Sequence, residues 1–232
     1  MKLIKILKKL YYIPSATLNT AANINIKTVN RLLANIKSPV LLNIGSGDRF
    51  LGGSSLGKND LRLINLDITP LSSADVVGDA QQLPFADAVF DGIICQAVLE
   101  HVPRPQKVIA EMYRVLHQGG IIYIEVPFLQ GYHPSPRDFF RYTLEGLEEL
   151  LADFSKLESG VCVGPASTVC WIAREFLSGL LCGFSENRFL RRVTVFIAGW
   201  LTFPIKYLDL ILARRRNASH IASGIYYLGS KG

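Results

Sequence analysis

Apolar residues along this chain gather into short, nearly continuous runs instead of alternating with polar ones. The runs at 40–44 (VLLNI), 62–66 (RLINL), 89–95 (VFDGIIC), 121–126 (IIYIEV), 157–163 (LESGVCV) and 223–229 (SGIYYLG) read as strands. Such strands suit a parallel sheet that is covered on both faces. Helical periodicity separates several of them, most clearly at 105–117 (PQKVIAEMYRVLH) and 143–152 (TLEGLEELLA). Pro105 opens the first helix and "QGG" follows it, while Thr143 suits the N-cap of the second. The pattern predicts an open, doubly wound α/β sheet that binds ligands at the carboxyl ends of its strands.

The two ends of the chain differ from this middle. Residues 2–12 form an amphipathic pattern, with Leu3, Leu7, Leu10, Ile4, Ile6 and Tyr11 on one side and Lys2, Lys5, Lys8 and Lys9 on the other. That pattern fits an in-plane membrane helix, or a helix packed on its own domain with a solvated lysine face. Near the other end, roughly sixty residues separate the candidate strands ending at Val163 and beginning at Ser223, where a hairpin loop takes ~2–5. They read as helices at 167–182 and 188–213, followed by Arg214, Arg215 and Arg216. The apolar run Val193–Phe203 is half the ~20 residues of a spanning helix, and Pro204 interrupts it. A hairpin lying in a membrane interface, ringed by Arg191, Arg192 and Arg214 to Arg216, is expected; a lid or a dimer interface are the other readings. The expected organisation is a basic helical extension over 1–37 and one α/β domain over 38–232, with a helical insertion at 164–219.

Charge follows the same division. Residues 1–47 carry a net +7, residues 48–167 a net −7, and residues 168–230 a net +5; Lys231 brings the chain to +6. An acidic core between cationic, apolar flanks fits an anionic membrane surface better than nucleic acid. The four cysteines show no C-x-x-C spacing and no partner histidines, which suits reduced intracellular thiols and predicts no metal site and no disulfide. Lysines interrupt the start MKLIKILKKLYYIPSAT too often for a secretory signal.

Chemistry enters at "LLNIGSGDRFLGG" (41–53), where the first strand breaks into a glycine loop. A phosphate-binding P-loop fails here, because Gly47 and Gly52 are followed by Gly53 where lysine is required. A dinucleotide loop is disfavoured, because Phe50 takes the third glycine position and Asp48 would repel a pyrophosphate. S-adenosylmethionine carries an adenosine with a sulfonium and an amino-acid tail in place of phosphates, and Gly45 and Gly47 still let the backbone approach it. Asp67 ends the next strand, where a carboxylate can accept both ribose hydroxyls. Further on, Asp79 can accept the adenine amino group while the Ala80 amide bonds a ring nitrogen.

The ordered series "NIGSGD", "NLD", "GDAQQLPFADAVFD", "AVLEHV" and "RVLHQGGIIYIEVP" resembles the class I S-adenosylmethionine-dependent methyltransferases, in the small-molecule branch, over residues 38–163 and again over 220–231. The resemblance implies a Rossmann-like, mostly parallel seven-stranded sheet whose last strand is antiparallel. It implies S-adenosylmethionine as cofactor, with Gly45, Ser46 and Gly47 along its backbone, Asp67 and Ile68 at the ribose, Asp79 and Ala80 at adenine, and Gln96 beneath the methionine. Asn43 stands where the family often has Asp or Glu, and an amide there can still hydrogen-bond the cofactor's amino group.

The loop "EVPFLQGYHPSPRDFFRYT" leaves the sheet on the side where the methyl group would point, and offers Tyr132, Arg137, Asp138, Arg141 and Tyr142 as acceptor-binding residues. It resembles loops of methyltransferases from bacterial surface-glycan and lipid-linked saccharide pathways. A hydroxyl or amine acceptor must lose a proton, so His133 is the leading candidate base. His101, in "LEHV", is the second, as base or as a brace for the cofactor floor. The expected protein is a cytoplasmic, membrane-peripheral methyltransferase of a small or lipid-linked, glycan-type acceptor, acting at oxygen. The alternatives are carbon methylation of a prenylated quinone precursor and a catalytically silent cofactor-binding scaffold at the membrane.

Overall fold

The computed structural model describes residues 12–47, 61–71, 73–185 and 187–232. The amphipathic stretch 2–12, apart from Tyr12, lies outside the described residues, and so do Asp48, Phe50, Gly52 and Gly53 of the glycine loop. The chain divides into two compact units. One comprises 21–128, 132–162 and 224–232; the other takes the chain up to Thr20, Leu129–Gly131 and Val163–Ser223. The boundary between the units falls near residue 20.

The first unit is the expected α/β sheet. Its strands are β1 (Val40–Ile44), β2 (Arg62–Asp67), β3 (Val76–Val77), β4 (Phe90–Gln96), β5 (Leu116–Pro127), β6 (Phe154–Val163) and β7 (Gly224–Lys231). They lie in the order β3-β2-β1-β4-β5-β7-β6. The pairs from β3 to β5 are parallel, and β7 runs antiparallel to β5. Leu41, Leu42, Ile93, Ile94, Ile122 and Ile124 are fully buried, as a sheet covered on both faces requires. Each such side chain contributes about 1.5–3 kcal/mol relative to exposure. Helix α1 (Ala22–Leu32) buries Ile26 and Val29, and α2 (Pro105–Val115) buries Val108, Ile109, Met112 and Val115 at helical spacing.

Two boundaries differ from the sequence reading. Helix α2 stops at Val115 and β5 starts at Leu116, ahead of "QGG". Gly119 takes φ 74°, and the pairing jumps from Phe90↔Leu116 to Gly92↔Ile121. The glycines therefore form an irregularity inside the strand and not its beginning. β3 escaped notice because two residues make no periodic run. Helix α3 (Leu144–Leu150) is capped as expected, with the Thr143 hydroxyl accepting from the Gly146 amide.

The turn "LPFAD" is pinned from α2. Arg114 donates to the carbonyls of Leu83 (3.1 Å) and Phe85 (2.8 Å) and to Asp87 (2.7 Å), while Glu111 accepts from the Leu83 amide (2.7 Å). Two motifs that are separate in sequence form one brace.

The second unit is helical. It contains α4 (Pro165–Leu181), α5 (Arg188–Thr202), a 3-10 segment Phe203–Leu208, α6 (Asp209–Leu212) and a 3-10 turn Ala218–Ile221. The expected helix 188–213 is thus interrupted at Phe203, beside Pro204. Buried Asp209 accepts from the amides of Ala166 and Ser167 (2.8 Å each), filling the first turn of α4. The polarity of the helix pair is inverted. Its buried positions are small or polar: Ser178 and Thr194 hydroxyls meet at 2.9 Å, Thr202 bonds the Ala198 carbonyl, and Cys170 lies 3.9 Å from the Thr202 hydroxyl. Its exposed positions include many large apolar side chains, Val169, Ile172, Phe176 and Leu180 on α4 and Phe189, Val193, Ile197 and Leu201 on α5, beside the arginines at 188, 191 and 192.

Candidate active site

β1, β2, β3 and β4 end side by side, and their following loops carry the residues singled out for the cofactor. Strand order reverses between β1 and β4, the crevice where open α/β sheets bind ligands. There the turn after β1 approaches the segment after β4 so closely that only glycine fits. A Cβ on Gly45, which has φ 70°, would lie 2.2 Å from Cγ2 of Val98. Gly45 and Ser46 both donate to the Leu66 carbonyl, at 2.8 and 3.2 Å, which ties the turn to β2. Gly47 has φ 56°, and a Cβ there would meet open space within 4 Å.

Asp67 organises this end of the sheet. Its carboxylate accepts from the Gly47 amide (2.9 Å), the Thr69 amide (2.9 Å) and the Thr69 hydroxyl (2.7 Å). Burial pushes the carboxyl up, but the Thr69 hydroxyl and amide and the amides of Gly47 and Ile68 outweigh it, so its pKa lies below the ordinary value. These donors occupy most of its about four acceptor positions, and a position opens if the Thr69 hydroxyl turns away.

The chemistry of the other residues fits an adenosine cofactor in part. The Ser46 hydroxyl is buried with no hydrogen-bond partner among the described residues, the kind of group that a ligand satisfies. Ile68 is 62% exposed beside Asp67, an apolar surface available to a base. Asp79 is exposed and caps its own turn, accepting from the Gln81 amide at 2.8 Å and its side chain at 3.2 Å; Ala80 next to it is buried. Gln96, at the end of β4, donates to Glu125 on β5 (2.8 Å). Asn43 is buried in the sheet, with its amide donating to Asn65 (2.9 Å), which in turn donates to Asp75 (3.1 Å). Its side chain belongs to a ladder between β1 and β2.

The acceptor loop lies against the segment that follows β4. The Phe139 amide donates to the Glu100 carbonyl (2.7 Å), and the Tyr142 hydroxyl donates to the Leu99 carbonyl (3.1 Å). Tyr142 is buried, and burial, followed by the nearby Glu100 charge, raises its pKa; it works as a brace. Tyr132 is 76% exposed, and Arg137 is also exposed. Asp138 accepts from the His133 amide (2.8 Å) and from both terminal nitrogens of Arg141 (2.5 and 2.6 Å). The Arg141 guanidinium holds the Asp138 carboxyl well below the usual carboxylate range. Asp138 therefore shapes the loop and does not cap the helix at Thr143.

His101 and His133 come together, with ring centroids 5.3 Å apart in an edge-to-face arrangement. Between them lies Glu100, which the sequence reading passed over. Its Oε1 is 3.8 Å from Nε2 of each histidine. Glu100 is fully buried, and neither carboxylate oxygen has a hydrogen-bond partner among the described residues. Its proximity to His101 was visible in "LEHV"; its convergence with His133 depends on the fold. Thr69, Ser73 (which donates to the Gly47 carbonyl) and Glu125 were also missed, because each acts through a neighbour at a strand end.

Comparison with known proteins agrees with this geometry. Residues 44–124 match the family model described as a methyltransferase domain. A demethylmenaquinone methyltransferase of Oceanobacillus iheyensis is 34% identical over 98 residues, 41% of this chain and 38% of that protein. A phosphatidylethanolamine N-methyltransferase of Cereibacter sphaeroides is 33% identical over 76 residues, 33% of each chain. The chain thus spans about two fifths or less of the length of these relatives. In fold it resembles a Haemonchus contortus phosphoethanolamine N-methyltransferase 2 bound to S-adenosylhomocysteine (TM-score 0.57, 18% identity, 91% of this chain and 53% of that one). It also resembles a Burkholderia thailandensis 1,6-didemethyltoxoflavin-N1-methyltransferase bound to the same product (TM-score 0.51, 16% identity, 91% and 80%). In fold, the sheet is the Rossmann-like, mostly parallel sheet of these methyltransferase structures.

Proposed function

We propose that this chain is an S-adenosylmethionine-dependent methyltransferase that acts at oxygen on a small or lipid-linked acceptor of glycan type, at the inner face of the cell membrane. The observation that carries the reading is the alignment of Gly45, Ser46, Gly47, Asp67 and Ile68 on adjacent strand ends, with the loop 132–142 hydrogen-bonded over the end of β4. When bound, the cofactor supplies an electrophilic methyl group on a sulfonium. Asp67 holds the ribose, and Ser46 and the glycine turn line the methionine end. Ile68, Asp79 and Ala80 face the adenine, while Gln96 and Asn43 complete the floor.

Alignment does most of the work in such a displacement, and the acceptor hydroxyl must also give up its proton. His133 and His101 are the groups for that step. Both ring Nε2 atoms face Glu100, so we assign the step to the three-residue cluster and not to one imidazole. Exposed Tyr132 and Arg137 contact the acceptor, and Asp138, Arg141 and Tyr142 hold the loop that presents them. Match to the Oceanobacillus protein favours a second reading, methylation of a prenylated ring at carbon.

Calorimetry tests the reading directly. S-adenosylhomocysteine and S-adenosylmethionine are each expected to bind at one equivalent. No heat from either at high protein concentration leaves only a silent scaffold. Product analysis with sugar and hydroquinone acceptors then separates oxygen from carbon methylation.

Membrane attachment rests on the inverted polarity of α4 and α5. Small and polar groups at a helix–helix contact with Leu, Ile, Phe and Val outside is the pattern of helices packed in lipid. By length and composition the run Arg188–Leu212 reaches the size of a membrane span, and with only 28% of its most apolar window buried it is not a core helix. With one side packed on α4 and arginines at 188, 191, 192 and 214–216, an in-plane position against anionic lipid fits it best. The full chain is expected to float with phosphatidylglycerol vesicles. Phe189→Asp with Leu201→Asp, at positions 77% and 67% exposed, is expected to abolish flotation and leave S-adenosylhomocysteine affinity unchanged. Undiminished flotation of that variant places the anchor elsewhere.

A further inference from the structure

A carboxylate removed from water and given no hydrogen-bond donor is an unstable arrangement unless a cation joins it. Glu100 is in that position: it is fully buried, and neither oxygen has a partner among the described residues. Arg141 directs both terminal nitrogens to Asp138 and makes no hydrogen bond to Glu100. What faces Glu100 is a pair of imidazole nitrogens, Nε2 of His101 and Nε2 of His133, each 3.8 Å from Oε1. The three ligand atoms all lie within 4.8 Å of one another.

The outer contact of His101 points the same way. His101 Nδ1 is 2.6 Å from the Arg137 carbonyl, which only accepts, so Nδ1 donates there and in the neutral ring Nε2 presents its lone pair toward Glu100. A second ring nitrogen tied to a carbonyl or carboxylate is the usual support of a metal-bound histidine. At His133, Arg141 donates to Nδ1 at 3.2 Å while Asp138 Oδ2 lies 3.7 Å away, so a metal at Nε2 requires Nδ1 to release Arg141 and turn an N–H to Asp138.

We propose that Glu100, His101 and His133 form a binding site for a first-row divalent metal ion, through one carboxylate oxygen and two imidazole Nε2 atoms. Two nitrogens and one oxygen suit zinc, iron(II) or cobalt(II) better than calcium or magnesium. Metal–ligand bonds of about 2.0–2.1 Å put tetrahedral ligands about 3.4 Å apart, so each donor moves inward by a few tenths of an ångström. Three protein ligands leave a coordination position open, as catalytic metal sites do. His133 and the Arg137 carbonyl belong to the acceptor loop, so the open position is available to an acceptor oxygen, whose proton a bound metal makes easier to remove. Only this last role rests on the methyltransferase reading. Metal binding does not.

The test is a cobalt(II) titration of the full-length, tag-free, chelator-treated protein, followed by visible absorption, with zinc as competitor. One equivalent is expected to bind with the intense bands of a four- or five-coordinate site, and zinc is expected to displace it. Glu100→Gln and His133→Gln are each expected to weaken cobalt binding by at least about 100-fold, beyond the loss typical of outer contacts. Far-UV circular dichroism and S-adenosylhomocysteine affinity are expected to stay at wild-type values. His133 is partly exposed on its loop, so its variant decides the matter if Glu100→Gln does not fold. Absence of a cobalt spectrum at millimolar metal, or uptake that both variants preserve, overturns the site and leaves imidazolium ions as the partners of Glu100. Cobalt uptake without S-adenosylhomocysteine binding overturns the methyltransferase reading and keeps the metal site.

Discussion

Gly45→Ala is expected to destabilise the protein by about 2–5 kcal/mol and to abolish measurable binding of S-adenosylhomocysteine. Two costs add. The residue holds φ 70°, and a side chain in that left-handed region costs about 1–2 kcal/mol. The new methyl group would also sit 2.2 Å from Cγ2 of Val98, and forcing such a contact costs about 1–3 kcal/mol. Val98 is β-branched and has few rotamers with which to withdraw. If the turn shifts to escape, the Gly45 and Ser46 amides lose the Leu66 carbonyl, and the cofactor loses the backbone it approaches. The two costs can be separated. In Gly45→Ala with Val98→Ala the nearest remaining Val98 atom is Cβ, 3.6 Å away, an ordinary contact. The double variant is therefore expected to recover the steric part in urea unfolding and to retain the backbone part. A single variant as stable as the wild type, or a double variant no better than the single, removes Val98 from the explanation.

This pair also marks where sequence reading ends. That Gly45 sits in a tight turn after a strand is visible in "NIGSG", because the apolar run stops there and two glycines follow. That Val98 makes glycine necessary is a fact about strand order, since β1 and β4 become neighbours only through the crossover. That the residues proposed for the cofactor lie together was legible for a related reason. They occupy successive strand ends, and each strand announces its end by the close of an apolar run. The acceptor half was less so. Its polar loop was recognisable, but Glu100 looked like any carboxylate in a short turn, and its burial between two histidines is set by the Phe139 and Tyr142 hydrogen bonds. Tyr142 and Asp138 had residue types suited to binding, and packing gave them supporting work instead. In the helical unit, composition revealed apolar helices, whereas the inward Ser178, Thr194 and Thr202 required the helix contact to be seen.

Asp67→Ala is expected to weaken S-adenosylhomocysteine binding by about 30- to 1,000-fold, which corresponds to about 2–4 kcal/mol of charge-assisted hydrogen bonding. The loss has a direct and an indirect source. The ribose hydroxyls lose their carboxylate, and the Gly47 and Thr69 amides lose the acceptor that fixes the turn before any ligand arrives. Asp67→Asn separates the two. Its carbonyl keeps one acceptor, while its NH2 group faces donors where the carboxylate had an oxygen, so an intermediate affinity is expected. Acid sharpens the comparison. The folded pKa of Asp67 lies below the ordinary carboxyl value, so its contribution to stability is complete above about pH 4 and vanishes as pH falls through the lower folded pKa. The stability advantage of wild type over Asp67→Asn is therefore expected to be constant through neutral pH and to shrink in acid. If Asp67→Ala bound S-adenosylhomocysteine as tightly as wild type, the carboxylate would serve only the turn. The ribose would then have to be held by other groups, of which Thr69 and Ser73 are the nearest on the same strand end.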